Sequence, residues 1–147
     1  SVVVPHAVDG VFGDRIRLRG FDLGRPLPAG ENLPITLYWQ AIAPLDRRYK
    51  YILEFASLAA DGRSEIHGVA EREPYDGTLP TLQWPPDATV IEYSGVIAPI
   101  DPSRVPQCCH LRVQIYDAET LTKLPVTDPG TAEVAADGQT LVISVAP

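Results

Sequence analysis

Leu33-Pro34-Ile35-Thr36-Leu37-Tyr38-Trp39-Gln40 is the stretch that decides the fold class. Its large apolar residues, Leu33, Ile35, Leu37 and Trp39, alternate with Pro34, Thr36, Tyr38 and Gln40. Successive side chains of an extended chain point to opposite faces, so the stretch predicts a strand with one buried face. Tyr49 to Leu58 reads the same way, with Tyr51, Leu53 and Phe55 on one face and Lys50, Ile52, Glu54 and Ala56 on the other. Ala60-Asp61-Gly62-Arg63 follows it. The Asp-Gly pair tolerates positive φ, which predicts a hairpin into Glu65 to Ala70.

Alternation recurs on both sides of this centre. Ala88 to Val96 and Cys109 to Tyr116 are predicted strands, the latter with Cys109, Leu111, Val113 and Ile115 inward and Arg112 and Gln114 outward. Arg15 to Phe21 and Thr140 to Val145 complete the main set, with short extended pieces at Leu124 to Val126 and Glu133 to Val134. The expectation is seven to nine strands. The 15 prolines and 11 glycines fall mostly between these runs, and no long segment carries a helical stripe. Many short strands separated by Pro and Gly turns predict an all-β fold: a two-sheet antiparallel sandwich, immunoglobulin-like or Greek-key. The Cys…Trp…Cys spacing of antibody domains is absent, so Trp39 is expected to fill the core without a disulfide beneath it.

With 147 residues, 45% apolar and 21% charged, the chain is read as a single globular domain with its core over roughly residues 10 to 145. A net charge of −7 repels phosphate backbones, so nucleic acid is not an expected partner. The absence of methionine suggests a fragment of a longer protein or a mature form. No apolar run reaches the roughly 20 residues that cross a bilayer, so this piece is not expected to span a membrane itself. The two cysteines, Cys108 and Cys109, are adjacent. Neighbouring Cα atoms lie about 3.8 Å apart, less than the usual disulfide spacing, so both are expected to be thiols, Cys109 packed inward.

The longest stretch without alternation is Glu73 to Asp87, which holds four prolines together with Tyr75 and Trp84. Its backbone is expected to be stiff and to cover one end of the sandwich. Two readings stay open for its aromatics: a structural lid, or a binding surface in which Tyr75, Trp84 and the outward Tyr38 stack on sugar rings.

Several separated motifs carry a resemblance. Gly13-Asp14-Arg15-Ile16-Arg17-Leu18-Arg19-Gly20-Phe21-Asp22-Leu23, Leu37-Tyr38-Trp39-Gln40-Ala41 with Pro44-Leu45-Asp46, Pro80-Thr81 with Trp84, and Val113-Gln114-Ile115-Tyr116-Asp117 followed by Lys123-Leu124-Pro125-Val126 occur in this order. Together they resemble the β-sandwich domain that follows the membrane portion of many bacterial multi-pass glycosyltransferase-like proteins, those similar to dolichyl-phosphate-mannose mannosyltransferases. The match spans roughly residues 10 to 145. It departs where the pattern has Gly-x-Tyr, since Gln107 and Cys109 stand there, and where it has Pro-Gly-Glu, since Pro86-Asp87-Ala88 stand there. The resemblance implies an extracytoplasmic or cell-surface accessory domain without enzymatic activity, part of a membrane-anchored protein, with its parent protein or another domain as partner.

Catalytic motifs are not found. No Gly-x-Ser-x-Gly turn occurs, and His6, His67 and His110 have no zinc-binding spacing among themselves or with the cysteines. Asp61, Glu65, Glu71 and Glu73 are read as a solvated acidic edge rather than a glycosidase pair. Asp76, Asp87, Asp117 and Asp128 lack the dense spacing of a calcium loop and are read as turn formers. The sequence therefore predicts no catalytic residue, no metal and no cofactor. It leaves saccharide binding through Tyr38, Tyr75 and Trp84, with a purely structural or protein-docking domain as the alternative and a glycoside hydrolase-type enzyme as the least favoured reading.

Overall fold

A computed structural model describes residues 2–24, 32–97 and 109–145. Within them the chain forms β1 (His6–Phe12), β2 (Ile16–Leu23), β3 (Asn32–Ala41), β4 (Tyr49–Leu58), β5 (Ser64–Arg72), β6 (Thr89–Ile97), β7 (Cys109–Asp117), β8 (Val126–Asp128), β9 (Glu133–Val134) and β10 (Leu141–Ser144). Two five-stranded sheets result, β6-β3-β2-β1-β8 (sheet A) and β5-β4-β7-β10-β9 (sheet B), and every strand pairing is antiparallel. The all-β, two-sheet expectation holds, with ten strands instead of seven to nine among the described residues.

The added strand is β1, and its sequence hides it. Asp9 adopts φ 55, and the pairing with β2 slips between Ala7 and Gly10. Such a bulge inserts an extra residue and breaks the period-2 pattern, leaving Gly10, Val11 and Phe12 buried in succession. Gly10 packs closely on the opposite sheet: a Cβ there would force the Leu141 side chain to shift. Near the end of the chain, β8 starts two residues later than the predicted extended piece at Leu124 to Val126.

One core fills the space between the sheets. Leu33, Ile35, Leu37 and Trp39 of sheet A meet Tyr51, Leu53, Phe55, Leu111, Val113 and Ile115 of sheet B, all buried. Trp39 stands at the centre, its ring 6.4 Å from Phe12 and 6.0 Å from Tyr51. The sequence assigned these inward faces correctly, and the predicted hairpin turns at Gly62, φ 84.

Two details correct the sequence reading. Gln114 is on the outward side of β7 yet is buried, because its Nε2 donates to Thr140 Oγ1 at 2.6 Å. Cys109 is disulfide-bonded rather than a thiol. Cys108 and Gln107 lie outside the described residues.

Candidate functional site

The three residues singled out in the sequence fall in three different environments. Trp84 is 7% exposed and belongs to the core, its indole Nε1 donating to Leu79 O at 3.1 Å. Little of its surface is left for a ligand to stack on. Tyr75 is 40% exposed and has φ 54 in a one-turn 3₁₀ segment, Pro74–Gly77. Tyr38 is half-buried on the outer face of sheet A.

The Glu73 to Asp87 segment is fixed from several sides. Arg48 holds the Glu73 carboxylate with two bonds of 2.6 Å, and Arg72 pairs with Asp76 at 3.0 Å. Thr81 accepts the Tyr49 N–H at 3.0 Å and donates to Arg47 O at 2.7 Å, while Gln40 Nε2 donates to Asp87 O at 2.8 Å. Behind it lies Glu92, 2% exposed at an inward position of β6. Its carboxylate accepts the Tyr51 hydroxyl at 2.6 Å and the Tyr75 N–H at 3.0 Å. Burial, then the bond to Glu92, pushes the Tyr51 phenol well above its ordinary range. A buried charge is tolerable only with such partners, so Glu92 ties the segment to the core. These bonds fit a lid.

On the outer face of sheet B the polar side chains are matched to one another. Arg112 bonds Glu54 at 3.2 Å, Tyr116 donates to Glu71 at 2.6 Å, and His110 Nε2 lies 3.0 Å from Ser64 Oγ. The Tyr116 phenol is pushed up to about 12, first by burial and then by Glu71, and burial lowers the His110 imidazole. A recess of about 550 Å³ borders Ser64, His110 and Arg112. A second serine–histidine contact, Ser57 Oγ to His67 Nε2 at 2.7 Å, lies near the same end. Nucleophilic catalysis needs a base oriented by a third group. Among the described residues, neither histidine has a hydrogen-bonded carboxylate, and Arg112 is committed to Glu54.

The outer face of sheet A differs. The register places Arg17, Gln40 and Thr89 in one row across β2, β3 and β6, then Gly20, Tyr38 and Ile91, then Asp22, Thr36 and Tyr93. Tyr38 and Tyr93 are thus diagonal neighbours on one face. Asp22 and Tyr93 both reinforce the upward displacement of the Tyr38 phenol that burial begins. Tyr93 is 71% exposed and offers an open ring. Arg17 donates to Gln40 Oε1 at 3.3 Å, and Arg19, at the bulge between Leu18 and Gly20, reaches over β3 to Thr89 Oγ1. The sequence reading missed Tyr93. Its signal was present in the outward alternation of Ile91 and Tyr93, but only the register of β6 against β3 brings it beside Tyr38.

The acids read as a solvated edge are largely engaged: Asp61 with Arg63, Glu71 with Tyr116 and Glu73 with Arg48. Of the loop aspartates, Asp117 bonds Arg47 and the N–H groups of Glu119 and Thr120, and Asp128 accepts the Gly130 N–H. No group of three or more potential metal ligands forms among the described residues. In comparison with known proteins, no family model matches this chain, and no curated protein matches it either.

Proposed function

We propose that this chain is a non-catalytic accessory domain that binds saccharide on the outer face of sheet A. The observation that carries the reading is the pair Tyr38 and Tyr93, side by side on a sheet face and bordered by Gln40, Thr36, Asp22, Arg17 and Arg19. Tyrosine presents a rigid apolar face with a polar edge, which suits a sugar ring, and the surrounding amide, hydroxyl and guanidinium groups suit its hydroxyls. Tyr38 keeps the role expected from its alternation, and Tyr93 takes the place that Trp84 cannot fill.

The finer architecture fits an immunoglobulin-like sandwich. β3 pairs β6 in one sheet while β4 pairs β7 in the other, so the chain crosses between sheets at both β3–β4 and β6–β7, as the B–C and E–F connections of that fold do. The motifs of the glycosyltransferase-like family support an extracytoplasmic place beside a membrane portion, with the parent protein as partner. A disulfide-bonded Cys109 favours an oxidising compartment. No helix of the described residues is long and apolar enough to cross a membrane.

The alternative, a docking domain, rests on Leu58, Ile66 and Val69, exposed together on the outer face of sheet B. A glycan-array screen separates the two. Binding by the wild-type chain, lost in a folded Tyr93→Ala variant, supports the saccharide reading. Binding to no glycan would leave docking as the better account.

A further inference from the structure

We infer that the saccharide taken by the outer face of sheet A is acidic, its carboxylate or sulfate group held by Arg17 and Arg19. The inference rests on the saccharide reading and adds the charge of the ligand. Six of the eight described arginines are within ion-pair distance of a carboxylate: Arg15 with Asp46, Arg47 with Asp117, Arg48 with Glu73, Arg63 with Asp61, Arg72 with Asp76 and Arg112 with Glu54. Arg17 and Arg19 form no ion pair among the described residues and bond only neutral oxygens, those of Gln40 and Thr89.

That arrangement stands out in this chain, where 19 acidic residues outnumber 12 basic ones. Asp22 is on the same face but bonds neither arginine. Arg17 also has its Nε buried without a hydrogen-bond partner among the described residues. An unmatched buried donor costs free energy, and a guanidinium presents a planar fork of donors whose best partner is a two-oxygen anion. Arg17 and the Thr89 that Arg19 reaches lie one row from Tyr38 and two from Tyr93, so one oligosaccharide can lay rings on the tyrosines and bring its anionic group to the guanidinium groups.

Titration calorimetry of the full chain tests this with four probes: an oligomer of a uronic acid, a sulfated oligosaccharide, a neutral hexose oligosaccharide of equal length, and inorganic sulfate. Tighter binding of the uronic acid oligomer or of the sulfated one identifies which anion the site takes, and either supports the inference. The expected preference over the neutral oligosaccharide is about tenfold or more, the size of one charge-assisted hydrogen bond. It should weaken as salt is raised. Arg17→Gln with Arg19→Gln should abolish the preference by lowering affinity for the acidic oligomer about tenfold or more further than for the neutral one, and Arg17→Lys, which keeps the charge but not the fork, should retain part of it. Equal wild-type affinity for neutral and acidic oligomers would overturn the acidic ligand and leave the saccharide reading intact. Inorganic sulfate binding as tightly as the sulfated oligosaccharide would overturn it too, since the tyrosines would then contribute nothing. Binding of none of the four would overturn the inference and count against the saccharide reading as well.

Discussion

The outer faces of the two sheets are built from similar residues and use them differently. On sheet B, Arg112 faces Glu54, Tyr116 faces Glu71 and His110 faces Ser64. On sheet A, Arg17 and Arg19 face only an amide and a hydroxyl, and Tyr93 faces solvent. A charged group matched by an opposite charge on its own sheet has little to offer a ligand. One held by a neutral neighbour has most of its interaction energy still available. The difference separates polar residues matched by charge within the sheet from polar residues held only by neutral neighbours.

The largest expected effect lies between the faces. Trp84→Ala removes a core indole and should cost about 3–5 kcal/mol of stability, measured by denaturant unfolding. A variant as stable as wild type would return Trp84 to the surface and weaken the contrast between lid and binding face. Next, Glu92→Ala leaves the Tyr51 hydroxyl and the Tyr75 N–H without their acceptor and should cost about 1–3 kcal/mol. Faster proteolysis within Glu73 to Asp87 would accompany it if Glu92 ties down that segment.

The faces themselves give smaller and opposite results. Arg112→Ala should destabilise by about 1–2 kcal/mol, since its partner Glu54 is largely covered. Arg17→Gln and Tyr93→Ala should stay within about 0.5 kcal/mol of wild type. Equal losses at Arg112 and Arg17 would erase the distinction between the sheets.

Sheet B also has an acid-sensitive end. Asp117, at the end of β7, is held down to about 2, first by the hydrogen bond from Arg47. Its folded value lies below the ordinary 3.8, so the folded state favours the charged form. The stability this contributes is present above about pH 4 and is lost as pH falls toward 2. Asp117→Asn should therefore be less stable at neutral pH and show a flatter loss over that acid window, read from unfolding midpoints.

Much of the fold was legible because burial imposes a period of 2 wherever one face of a strand meets the core. β3 shows it without interruption, and the inward residues of β4 and β7 were assigned from alternation although Ala56 and the outward His110, Gln114 and Tyr116 are buried as well. β1 was not legible. Its bulge at Asp9 breaks the period, and Asp9-Gly10 reads locally as a turn. The site was half legible. Tyr38 follows from the alternation around Trp39, whereas Glu92 puts a charged residue on the inward face of β6 and disguises Tyr93 as one more polar-side residue. The fate of Trp84 depends on contacts with distant strands, which no local pattern encodes.

The most direct test of the central claim is to map a bound saccharide on the chain by backbone amide chemical shifts during titration with the oligosaccharide that binds best. The account predicts perturbations concentrated on Arg17, Thr36, Tyr38, Gln40 and Tyr93, with Ser64, His110 and Arg112 unchanged. Perturbations centred on Tyr75 and the Glu73 to Asp87 segment, or on the outer face of sheet B, would contradict it.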